Sequence, residues 1–193
     1  MNTDEILEKV KDFADHAHGD QMRKYTQERY IVHPVRVMNL CREYTQDIKV
    51  LCAALLHDVL EDTPFTREDI RSFLTEMLPP KDALKIVKLV EELSNIYIQK
   101  DYPHLNRTKR KELELVRIAR ISKDARTIKY ADIIDNCKEI VEHNRDFAGR
   151  FLSECKSILQ VIAGGDPELH ERALKTVNDA LSRLHIPHAE HKR

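Results

Sequence analysis

His57 and Asp58 stand side by side in the run Ala53-Ala54-Leu55-Leu56-His57-Asp58-Val59-Leu60-Glu61-Asp62-Thr63, where an apolar segment gives way to ionisable side chains. Neighbours on a helix lie about 100° apart, so an imidazole nitrogen and a carboxylate oxygen here can turn toward one ion. That donor pair suits Mn, Fe, Zn or Ni better than Ca. Glu61 follows His57, and Asp62 follows Asp58, at the spacing of one helical turn, so each acid stacks beside a candidate ligand. Two carboxylates then stand near an ion without being ligands. Metal-assisted hydrolysis asks for that arrangement: a cation to acidify water and adjacent acids to move protons. Taken alone the dipeptide also reads as a hydrogen-bonded core histidine before an aspartate at a helix end; its company favours the ion.

Two more pieces could complete such a site. Tyr30-Ile31-Val32-His33-Pro34 sets a histidine directly before a helix that is expected to begin at the proline, a fixed position suited to a ligand. Equally, His33 reads as a polar residue at a helix start. Further on, Lys129, Asp132 and Asn136 share one face of an expected helix whose apolar stripe is Ile128, Ala131, Ile134, Cys137 and Val141. This face reads either as a solvated surface or as the source of a metal carboxylate, Asp132, with Lys129 and Asn136 beside it for substrate. Between residues 105 and 130 stand nine bases and three acids, in a chain whose net charge is −1. Arg107, Lys109 and Arg110 come at a helix start, where backbone amides also favour anions, and are candidates for holding phosphates. The alternative is a solvated helix face with paired charges.

Helices must carry all of this. Apolar residues recur at helical spacing throughout, and the spacing predicts helices near 3–18, 34–45, 48–61, 66–77, 81–96, 107–121, 124–143, 146–163 and 167–184. Pro34, Pro64, Pro79-Pro80, Pro103 and Gly164-Gly165-Asp166-Pro167 supply the stops. The expectation is an all-α single domain of about eight to nine helices over residues 1–185, with a frayed tail at 186–193. The helix at 48–61 is apolar nearly all round and is placed at the centre of the fold. Ionisable groups at its carboxyl end then need partners, and a metal ion is an economical one.

Composition removes other classes. With 4 glycines in 193 residues there is no material for a Rossmann or Walker phosphate loop. The longest apolar run, Val50 to Leu56, is far below the roughly 20 residues of a bilayer span, so no membrane partner is expected. The acidic start of the chain shows no signal peptide. The balanced net charge and the lack of aromatic residues among the bases argue against a nucleic-acid partner. Cys41, Cys52, Cys137 and Cys155 lie apart in apolar contexts and are expected to be buried thiols of a cytoplasmic protein. Nothing in the sequence assigns an oligomeric state.

The order His33, His57-Asp58, Asp132 is that of the HD-domain metal phosphohydrolases. Together with Ala17-His18-Gly19-Asp20-Gln21-Met22-Arg23-Lys24, Tyr30-Ile31-Val32-His33-Pro34, the H-D-x-x-E-D-T run and Lys129-Tyr130-Ala131-Asp132 with Asn136, it resembles the hydrolase domain of RelA/SpoT proteins over about residues 5–160. The small alarmone hydrolases are its stand-alone versions. The resemblance implies an all-α fold, one Mn(II), and removal of pyrophosphate from the 3′ position of (p)ppGpp. It implies His33, His57, Asp58 and Asp132 as metal ligands and Glu61 and Asp62 as the acids that position and deprotonate water. Arg23, Lys24, Tyr30 and Asn136 would hold the nucleotide and its phosphates, and His18 would be structural. A hydrolase without the family's synthetase domain is the expectation from a chain of this length. The chain departs from the family pattern at Tyr25–Arg29, which has neither the glycine turn nor the proline, and at Asp135 and His104. Two other readings stay open: a phosphatase of another nucleotide, such as NADPH or a deoxynucleoside monophosphate, and a non-catalytic nucleotide-binding regulator.

Overall fold

The computed structural model describes residues 1–24 and 26–184; Tyr25 and the tail expected at 186–193 lie outside the described residues. Among these residues the chain forms ten helices: α1 (Thr3–His18), α2 (Val32–Arg42), α3 (Ile48–Leu56), α4 (Val59–Asp62), α5 (Arg67–Thr75), α6 (Pro80–Leu93), α7 (Arg107–Ile118), α8 (Lys123–His143), α9 (Arg145–Val161) and α10 (Pro167–Leu184). An isolated antiparallel bridge joins Met22 to Arg29 in the turn before α2. Starts are chemically marked. Asn2 with Glu5, and Thr66 with Asp69, form reciprocal capping boxes. Asp47, Asn106, Ser122 and Asn144 each accept a first-turn amide with the side chain.

α3 is the centre, as its apolar circumference requires. Every residue from Val50 to Leu56 is buried, and the helix packs on α1, α2, α6 and α8. α2, α3 and α8 each touch the other two, so three elements meet where their polar residues are carried. All four cysteines are free and buried, as expected. No described helix is long and apolar enough to cross a membrane.

Three local readings change. The helix expected over 48–61 is broken at His57 and Asp58, which is why the helices outnumber the eight or nine expected. Asp58 sits at φ −98°, ψ −7°, and the His57 ring takes the carbonyl of Ala54 at 2.7 Å, the acceptor an unbroken helix would offer the next amide. Side-chain bonds of this kind compete with helix continuation. α2 begins at Val32, so His33 lies inside its first turn, not before it; Pro34 fits there because first-turn amides need no helical acceptor. α8 has no solvated face around Asp132. Thr127, Asp132 and Asp135 are buried along with Ile128, Ala131, Ile134 and Cys137 of its apolar stripe, because α2, α3, α6, α9 and α10 all pack against it.

Candidate metal centre

The break between α3 and α4 aims His57 and Asp58 at the first turn of α2. One donor atom each from His33, His57 and Asp58 lies within 4.8 Å of the others. The Nε2 atoms of His57 and His33 stand 3.1 and 3.6 Å from Asp58 Oδ2. Asp132, from the middle of α8, brings Oδ1 to 3.3 Å from His33 Nε2 and 3.8 Å from His57 Nε2.

Both imidazoles are oriented from behind. His33 Nδ1 donates to Asp135 at 2.7 Å, and His57 Nδ1 donates to the Ala54 carbonyl at 2.7 Å. A proton on Nδ1 leaves the Nε2 lone pair free in the neutral ring, the form that binds metals. His57 Nε2 is buried and has no hydrogen-bond partner. Such an orphaned atom is costly unless something outside the chain satisfies it. Two neutral nitrogens and two carboxylates fit a first-row divalent cation.

Without an ion, the neighbouring carboxylates draw a second proton onto the imidazoles, positive charge that a bound cation would replace. Burial opposes charge on His57, yet the adjacent Asp58 and the Asp132 contact raise its pKa to about 10. His33 is also raised, the bonds to Asp132 and Asp135 outweighing burial. Asp58 and Asp132 are lowered despite burial, the first by His57 and the second by the Lys129 charge. Two ionised carboxylates thus demand positive charge at this point.

Glu61 and Asp62, on the single turn of α4, behave differently. Both side chains reach solvent, and partial desolvation by the surrounding protein together with the charge of Asp58 raises each pKa. The Glu61 carboxylate is held by the Asn95 amide and side chain at 2.8–2.9 Å, and Tyr30 and Gln21 near Asp62 oppose its rise. Acids held in place and tuned toward neutrality are suited to passing protons.

The residues expected to hold substrate are scattered. Asn136 donates to Asp132 Oδ1 at 2.6 Å and lines a cavity of about 780 Å³ between α7, α8 and α9. Arg107 lines it too, in a bidentate pair with Glu154, and also lines an adjoining cavity of about 340 Å³ beside Glu61. Arg110 lines only the smaller one and bonds Leu105 and Gln99. Lys109 lines neither and pairs with Glu112 at 3.0 Å. Arg23 is buried in contacts with Glu139 and Asn136, and Lys24 sits over the Phe147 ring. Tyr30 donates to Asp58 Oδ2 at 2.7 Å. His18 bonds Gln21 at 2.9 Å and lies against the Tyr30 ring, behind the acids.

Sequence reasoning missed the support around these groups. Asp135 is gripped by Arg36 at 2.9 and 3.1 Å; Arg36 also pairs with Glu139, which holds Arg23. Asn95 and the α9 residues Phe147, Arg150, Phe151 and Glu154 were not singled out either. Only Asp135, an acid one turn from Asp132 in an apolar helix, carried a local signal.

Comparison with known proteins follows this geometry. Residues 30–137, the span from Tyr30 past Asp132, match the HD domain. A guanosine-3′,5′-bis(diphosphate) 3′-pyrophosphohydrolase of Aquifex aeolicus is 39% identical over 92 residues, 48% of this chain and 12% of the relative. A probable enzyme of the same name from Mycoplasma pneumoniae is 31% identical over 141 residues, 70% of this chain and 18% of the relative. This chain therefore spans under a fifth of the length of those relatives. A solved structure described as a metazoan ortholog of SpoT that hydrolyzes ppGpp aligns with a TM-score of 0.75 at 22% identity, covering 94% of this chain and 97% of that one. The matched span contains both histidines, Asp58 and Asp132, and the fold is shared nearly end to end: the chain belongs to the HD-domain family.

Proposed function

We propose that this chain is a metal-dependent 3′-pyrophosphohydrolase of (p)ppGpp, acting in the cytoplasm and working with one Mn(II). The observation that carries the reading is the orphaned His57 Nε2 within the His33–His57–Asp58 cluster, with Glu61 and Asp62 one turn away. The names of the relatives supply the substrate.

His33, His57, Asp58 and Asp132 would hold the ion, which when bound acidifies water and draws charge from a phosphoryl oxygen. Asp62 and Glu61 orient the attacking water and take its proton. Water attacks the phosphorus attached to the 3′ oxygen, the bond to that oxygen breaks, and pyrophosphate leaves as the oxygen regains a proton. Tyr30 donates to Asp58 and so braces the break between α3 and α4. Lys129, held charged by Asp132, and Asn136 lie where the cavity meets the centre. A binding-only regulator has no use for two acids with raised pKa beside the ion.

The test is a panel of ppGpp, pppGpp, NADPH and deoxynucleoside monophosphates with Mn(II). Pyrophosphate release from the first two, well above any product from the others, is expected. Turnover confined to NADPH or the deoxynucleotides would replace this reading with the other phosphatase.

A further inference from the structure

Beyond His33, His57, Asp132 and Asp135 of the metal centre, three polar side chains are buried among the described residues: His18, Glu114 and Thr127. Thr127 takes the amide of Asp166 at 2.9 Å, and His18 lies against Tyr30. Glu114, on α7, has no part in the mechanism so far. A buried carboxylate is costly unless its oxygens are bonded, and those of Glu114 are. Oε2 accepts the backbone amides of Ile96 and Tyr97 at 3.2 Å each. Oε1 accepts from Arg117 at 2.6 Å, and Arg117 is tied in turn to the Glu92 carbonyl of α6 at 2.9 Å.

The two amides belong to the segment that leaves α6. Just before them stands Asn95, whose amide and side chain reach both oxygens of Glu61 at 2.8–2.9 Å. Three consecutive amides are thus shared between two carboxylates: the first goes to Glu61 and the next two to Glu114. Planar peptide units of fixed length join them, so the segment cannot shift at Ile96 without carrying Asn95 along. Arg110, one turn before Glu114 on α7, holds the same segment further on, through the Leu105 carbonyl and the Gln99 side chain. Glu61, Asn95 and Glu114 all border the smaller cavity. With Asn95 on both oxygens of Glu61, the direction from which a water can reach that carboxylate is restricted.

We propose that Glu114 is a positioning residue for Glu61: it anchors the backbone at Ile96 and Tyr97, and so keeps Asn95 where it orients the carboxylate that receives the proton of the attacking water. This rests on the hydrolase reading above and adds to it a support for the base that comes from α7. Acting through Asn95, Glu114 contributes alignment rather than binding. Its loss should appear in kcat and leave KM and the metal in place.

The experiment compares wild type with four variants. Glu114→Met keeps the length and removes the acceptor; Glu114→Gln keeps an acceptor for the amides; Asn95→Ala and the double variant Glu114→Met/Asn95→Ala complete the set. Each is checked by thermal melt and metal content. Two readouts are taken: hydrogen exchange at the Asn95 amide by NMR, and kcat and KM for ppGpp with Mn(II). Glu114→Met should speed exchange at Asn95, whose own acceptor is untouched, about three- to tenfold. It should lower kcat about 10- to 100-fold, with KM and bound metal within about twofold of wild type. Glu114→Gln should recover most of that loss. In the double variant kcat should fall no further than in Asn95→Ala, since both changes break one path. Either readout within about twofold of wild type in Glu114→Met would overturn the proposal; so would losses that multiply in the double variant, or a loss carried by KM. Where Glu114→Met does not fold, Arg117→Met, which frees Glu114 without removing it, takes its place and is judged by the same outcomes. If wild type releases no pyrophosphate, the hydrolase reading falls, and exchange at Asn95 still decides whether Glu114 holds that segment.

Discussion

At His33 and His57 the nitrogen offered to the ion is chosen by the bond the other nitrogen makes. For His33 that bond goes to Asp135, itself clamped by Arg36. Asp135→Asn keeps an acceptor and loses the charge, and should weaken Mn(II) binding about 10- to 100-fold. Equilibrium dialysis beside a metal-free melt measures it; an unchanged affinity would remove Asp135 from the metal's support. Asp58 and Asp62 are the same residue type one turn apart and separate cleanly in the same way. Asp58→Ala should empty the site and lose activity. Asp62→Asn should keep the ion while kcat falls roughly 10²- to 10⁴-fold, and an emptied site or wild-type turnover in that variant would contradict the division. Asp132, in the middle of α8, was offered in the sequence only beside a solvated-face reading. His57, Asp58, Glu61 and Asp62 were legible there because they lie within a turn of one another, and His33 because it stands beside a proline at a helix start. Asp135, Arg36, Glu139 and Asn95 were not, because their bonds run between elements: the Asp135–His33 and Glu61–Asn95 pairs span 102 and 34 residues.

At the scale of elements, helical periodicity located the helices and failed where a polar side chain competes with the backbone. The stripe through 48–61 continues in apolar residues past Asp58, so nothing in the period announces that His57 turns back onto Ala54. The solvated reading of α8 failed because period describes one helix, whereas burial of Asp132 depends on the five helices around it. The joint that leads from α9 to α10 can be tested directly. Tyr130 is fully buried, donates to the carbonyl of Ile162 and accepts from the amide of Gly165 at 3.1 Å. A Cβ on Gly165 would lie 2.6 Å from Tyr130 Cε2 and 3.0 Å from the Thr127 amide nitrogen. Gly165→Ala should therefore cost about 1–3 kcal/mol by overpacking, read as a lower denaturant midpoint at constant slope. A midpoint unchanged from wild type would mean that α10 yields without loss.

Taken whole, the molecule is an apolar interior built around α3, with His33, His57, Asp58 and Asp132 gathered at the carboxyl end of that helix. Its thiols share the interior: burial pushes Cys41 and Cys52 up to about 12. In the unfolded chain they titrate near 9.0, so from there to about 12 unfolding releases protons and stability should fall as pH rises. At pH 8 a thiol reagent should find no cysteine in the folded protein and all four in denaturant; rapid labelling of the native state would contradict the packing. The central claim is that this end of the molecule is a metal-loaded hydrolytic site. It is tested most directly by stripping the protein with chelator, adding Mn(II) back in steps, and following bound metal and pyrophosphate release from ppGpp together. The account expects no release from the stripped protein and recovery that saturates at one ion per chain. Full turnover in excess chelator, with metal analysis reading zero, would contradict it.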